Sequence, residues 1–155
     1  MLTVISEGLS DLYQLGLPLD VTDYVVPRSH VDAPLDRPEQ LLLRQADDAM
    51  EMALVLDDAV LDDSKPWNLD RFCVAAEGVS HLLYVAAAAS RDAQVSQLEL
   101  ELQAEIDKFA LLLFMGMKGP ELLQRLFSTL ILRETVVCAV ERARYAEAHR
   151  LGQRF

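Results

Sequence analysis

Between residues 96 and 117 apolar side chains recur at the spacing of a helix. Wound at about 3.6 residues per turn, Val95, Leu98, Leu102, Ile106, Phe109 and Leu113 fall on one stripe. Glu99, Gln103 and Asp107 lie away from it and read as a solvated face. Glu105 breaks this division, because it sits on the edge of the stripe beside Leu98 and Phe109. Glu101 lies one turn earlier on the same flank and Lys108 one turn later. From Phe109 onward the run FALLLFMGM is apolar all round, which predicts enclosure by other helices. LELEL alternates as a strand would, but the helix reading covers twice the length with strong helix formers.

The rest of the chain reads around this element. Residues 36–61 predict a first long helix with Pro38 and Glu39 in its opening turn. Its inner stripe is Leu42, Ala46, Ala49, Ala53, Leu56 and Val60, with Asp47, Glu51, Asp58 and Asp62 outside. Residues 66–89 predict a second helix, apolar on every side and rich in Ala75, Ala76, Gly78 and Ala86, as a central helix should be. Gly116 to Pro120 closes the third helix, and a fourth runs from there to about Leu151. Residues 1–35 are less regular: a short helix over 3–15, either a short strand or a helical turn over 19–26, then a stretch punctuated by Pro27, Pro34 and Pro38. The expected fold is therefore all-α. Four main antiparallel helices form a bundle domain over 36–155, preceded by an N-terminal arm and linker over 1–35.

Charge narrows the partners. The net charge is −11, with fifteen acidic and four basic side chains before residue 71 and a basic excess after residue 132. Such a chain repels phosphate backbones and anionic lipid, so neither nucleic acid nor a membrane is expected as partner. The run from Phe72 to Ala89 carries Glu77, Ser80 and His81 and reads as a buried helix. Cys73 and Cys138 lie in apolar helical sequence, and two buried thiols without a secretory signal fit the cytoplasm.

Candidate chemistry centres on Glu77, Ser80 and His81. Spacings of three and four bring them together on one face of an apolar helix, and their burial demands partners. Glu101, Glu105 and Lys108 of the third helix and Glu134 and Glu141 of the fourth are the expected partners in a buried polar cluster, structural or ligand-binding. A metal site would draw on Glu77, His81, Glu105 and Glu134 and hold iron, manganese or zinc. Di-iron carboxylate bundles use Glu-x-x-His pairs, however, and Glu77 stands one residue too far from His81 for that pattern. His149 and His30 are expected on the surface, and no phosphate loop, Cys-x-x-Cys or nucleophile elbow occurs.

The basic, aromatic end of the chain (Arg142, Arg144, Tyr145 and Arg150) is the candidate interaction surface. It suits an acidic partner, including a second copy of the chain. The expected function is a small, soluble, non-catalytic helical protein that works through protein–protein interaction as a regulatory or adaptor module, without a cofactor and as a homo-oligomer, a dimer. The alternative is a carboxylate/His metal-binding bundle, including a redox-active metalloenzyme.

Overall fold

A computed structural model describes residues 1–32, 37–46, 49–127 and 138–154. The chain opens with α1 (Leu2–Tyr13), a 3₁₀ turn at Val21–Tyr24 and the short strand β1 (Val25–Pro27). Two longer strands follow, β2 (Glu39–Ala46) and β3 (Ala49–Leu56), and then a single helical turn, α2 (Asp58–Leu61). The helices α3 (Leu69–Ala89), α4 (Gln97–Phe114), α5 (Gly119–Phe127) and α6 (Ala139–Gly152) complete the order.

The molecule is a mixed α/β fold, not the all-α four-helix bundle that periodicity suggests. The expected first helix is a β-hairpin. β2 pairs antiparallel with β3, placing Glu39 opposite Leu56, Leu42 opposite Ala53 and Arg44 opposite Glu51, while β1 pairs with β3 in parallel. The sheet order is β1-β3-β2. The helical stripe failed for a physical reason: three of its six members are alanines, which give little free energy on burial. The competing two-residue alternation places Leu54 and Leu56 on one buried face with nothing exposed at either. Pro38 fits this arrangement equally well, since it precedes the strand and donates no ladder bond.

The C-terminal third differs too. Cys138 has an extended backbone and caps the start of α6, so residues 119–151 are not one helix. Cys138 is exposed rather than buried.

Helix α3 is the hub. Asn68 caps it by accepting from the backbone N–H groups of Asp70 and Arg71. Its faces bury Phe72, Val79, Leu82 and Leu83 against Ile5 and Leu9 of α1, Leu54 and Leu56 of β3, and Leu111 and Leu112 of α4. By length and composition α3 could cross a membrane, yet 72% of its most apolar window is buried within the protein. Gly78 makes the close approach to the sheet possible. A Cβ there would come within 2.8 Å of Leu54 Cδ1 and 3.4 Å of Glu39 Oε2. Helix α4 starts at a capping box, Ser96 with Glu99. Its buried face is Glu101, Ala104, Asp107, Lys108, Leu111 and Leu112, rotated from the expected stripe, and Leu113 is exposed. The rotation follows from its neighbours, because α4 packs on both α3 and α6.

Candidate functional site

The polar residues on α3 and α4 find different hydrogen-bond and ion-pair partners. They separate into three groups, and each has a different chemistry.

The first is an ion triad. Lys108 Nζ lies 3.3 Å from Glu77 Oε2 and 3.0 Å from Glu105 Oε1. Burial alone would lower the ammonium's pKa, but the two carboxylates outweigh it and raise the value above that of an ordinary lysine. Cys73 sits nearby, its thiol pushed up to about 11 by burial, and is therefore inert.

The second group centres on Asp107 of α4. Ser80 Oγ donates to Asp107 Oδ2 at 2.6 Å, and Tyr13 Oη donates to Asp107 Oδ1 at 2.6 Å. Gln103 Nε2 donates to the same oxygen at 2.8 Å. Asp107, expected on a solvated face, is only 2% exposed. With both oxygens satisfied it acts as a knot that ties α1 to α3 and α4. Burial and the Asp107 bond raise the pKa of Tyr13. These residues border a cavity of about 350 Å³.

The third group carries the unmet polar groups. His81 on α3 turns its Nδ1 toward Glu39 Oε2 on β2 at 3.7 Å, too long for a hydrogen bond. Each side chain is only 9% exposed. Among the described residues neither Glu39 Oε2 nor His81 Nε2 has a hydrogen-bond partner. Both residues line an open cavity of about 620 Å³ bordered by β2, α3, α4 and α6. Its apolar wall includes Leu41, Leu43, Val85, Ala88 and Leu100, and its polar wall adds Arg37, Gln97, Glu101, Arg144 and Tyr145.

The charges around this cavity are tightly balanced. Glu101 pairs with Arg144 at 3.6 Å. Burial, with Glu77 adding to it, pushes the Glu101 carboxyl up to about 7 despite opposition from His81, Tyr145 and Arg144. Tyr145 is flanked by two guanidinium groups, Arg37 at 5.7 Å and Arg144 at 5.8 Å from its ring centre. Its hydroxyl accepts from Arg37 Nη1 at 2.9 Å and donates to Glu101. Burial and Glu101 raise its pKa. For His81, burial works to lower the pKa, but Glu39, with Glu77 and Glu101 further off, leaves it raised.

The remaining expected residues fall as follows. Arg142 and Arg150 are exposed on α6, and Arg150 pairs with Glu147. Of Glu141 only the backbone, inside α6, is described, and Glu134 lies outside the described residues. No group of three or more His, Cys, Asp or Glu side chains among the described residues could hold a metal ion. His149, expected at the surface, is buried, with Nε2 3.2 Å from the Phe127 carbonyl oxygen. Sequence reasoning missed Glu39, Arg37, Asp107 and Tyr13. A signal existed for Glu39 alone: it stands two residues before Leu41 in an alternating run.

No protein-family model, no curated protein and no solved structure matches this chain.

Proposed function

We propose that this protein is a non-catalytic binding module that holds a small molecule in the cavity between β2, α3, α4 and α6. One observation carries the reading: a buried carboxylate and a buried imidazole, each with an unmet hydrogen-bonding atom, line the same cavity. Leaving such a group unpaired costs about 1–3 kcal/mol. A buried polar group without a partner calls for one, and a bound ligand supplies it. The volume and mixed lining suit a small organic ligand, which pockets of about 300–1,000 Å³ accommodate. Among the described residues no nucleophile joins the group: Cys73 is held as a thiol, and the Ser80 hydroxyl is committed to Asp107. Two free cysteines, one of them exposed, fit a cytoplasmic setting.

Backbone-amide NMR of a fragment library tests this. Binders should move the resonances of Gln40, Leu41, His81, Val85 and Leu100. Ala89, exposed at the cavity wall, offers a control: Ala89→Trp should fill the space and abolish those shifts without unfolding the chain. Binders that leave these resonances unmoved, or that ignore the tryptophan, would refute the site.

Association through protein contacts has an observation of its own. Among the described residues no strand pairs with the outer edge of β2, and on that strand Leu42 and Leu43 are 36% and 52% exposed. An unprotected edge of this kind invites an antiparallel β2–β2 pairing between two copies, a self-complementary contact. Sedimentation velocity should give a dimer that Leu42→Lys converts to monomer. A monomer at every concentration would exclude it.

A further inference from the structure

The ligand's chemistry follows from which polar groups of the cavity already have partners. Arg37 is spent on the Tyr145 hydroxyl and ring. Arg144 engages Gln97, Glu101 and the same ring. Glu101 takes Arg144 and the Tyr145 hydroxyl. Glu39 and His81 stand apart, since among the described residues neither Glu39 Oε2 nor His81 Nε2 has a hydrogen-bond partner; the two side chains face each other with His81 Nδ1 3.7 Å from Glu39 Oε2. A carboxylate with nine-tenths of its surface buried is poorly stabilised unless hydrogen-bond donors and positive charge approach it. We infer that the cavity takes a small organic cation, a primary amine on a short apolar body, whose ammonium pairs with the Glu39 carboxylate.

The rest of the wall agrees with that choice. Leu41, Leu43, Val85, Ala88 and Leu100 offer the body a hydrocarbon surface. An anionic group of the same size would have to sit beside the Glu39 carboxylate, and like charges in a buried site repel strongly. A bound ammonium would also take over from His81 as the cation beside Glu39. His81 faces Glu39 from β2, Glu77 from its own helix and Glu101 from α4, with Arg144 and Tyr145 of α6 lining the same space. With an ammonium in place His81 releases its proton to solvent. Amine binding therefore tightens as the pH rises.

This inference rests on the cavity being a binding site, and the experiment separates the two ideas. The full chain is titrated by calorimetry with 4-phenylbutylamine, 4-phenylbutanol and 4-phenylbutyrate, three molecules of one shape and different charge. The amine should bind at least tenfold more tightly than the alcohol, and its affinity should rise from pH 6 to pH 8 with proton release. Glu39→Gln, which keeps the shape and removes the charge, should erase the amine's advantage. Ala89→Trp should weaken all three. Equal binding of the three, preference for the carboxylate, or an amine affinity indifferent to Glu39→Gln would overturn the cationic ligand while leaving a binding cavity. Failure of all three to bind, in the wild type as in Ala89→Trp, would overturn both. If Glu39→Gln does not fold, the pH dependence decides alone: an affinity that falls as the pH rises overturns the inference.

Discussion

Lys108 is the residue whose loss should be felt most. It is buried between Glu77 and Glu105, and removing it leaves two largely buried carboxylates facing each other. Lys108→Met should cost about 3–5 kcal/mol in urea unfolding, the range for breaking a buried pair from one side. Replacing Lys108, Glu77 and Glu105 together by apolar residues should be milder than Lys108→Met alone. The site's acid–base behaviour is a second residue-scale consequence. Glu101 and His81 both hold a proton more tightly in the folded chain than in the unfolded one. Their stabilising contribution is complete below the unfolded pKa and is lost as the pH rises through the folded one. For Glu101 this window runs from the ordinary 4.5 to about 7, and for His81 it extends upward from 6.5. Asp20, Asp58, Asp62, Glu99 and Glu147 have the opposite sign, each held low by side-chain hydrogen bonds, so their contribution fades in acid. The melting temperature should therefore peak on the acid side of neutrality and fall between pH 6 and pH 8. A curve that climbs over that interval would contradict the environments described for both groups. Glu77 and His81 were legible in the sequence because a polar residue in an otherwise apolar helix must find a partner. Asp107 was not, since the rotation of α4 about its own axis decides whether it meets water or Tyr13 and Ser80.

Elements were legible where local signals agreed. Helix α4 begins where Ser96 and Glu99 form their reciprocal cap, and α3 is continuous through its apolar run. Ser96→Ala should cost about 1 kcal/mol, the usual worth of a capping side chain, and fray the first turn first in hydrogen exchange. Unchanged protection at Leu98 to Leu100 would show that α6 packing alone holds that end. The β2–β3 hairpin was not legible, because the stretch satisfies both periods. Leu42, Ala46, Ala49 and Ala53 suit a helix, while Leu41 and Leu43 with Met52, Leu54 and Leu56 suit strands. Tertiary context chose between them. β3 gains β1 on one side, β2 on the other and α3 across its face, and an isolated helix of alanines gains none of these.

At the scale of the whole molecule, distant segments hold one another. Tyr13 and Asp107 meet across 94 positions of sequence, and Ile5 and Leu9 lie within the same core as Leu111 and Leu112. A chain starting at Gln14 should lose cooperative unfolding, since about 2–5 kcal/mol disappears with each large buried side chain. A sharp thermal transition in that truncated form would show that α1 is an accessory. Charge distribution was legible at this scale, but the site was not: Arg37 and Glu39 approach α3 only because a strand, rather than a helix, follows Pro38.

The order of the elements has a consequence for synthesis. All three strands precede α3, so the sheet can pair before its covering helix has left the ribosome. Until then Leu54 and Leu56 face water, and β2 offers an open edge beside them. A nascent chain stalled with β3 outside the ribosome and α3 still inside should recruit chaperones, whereas one with α3 fully emerged should escape them.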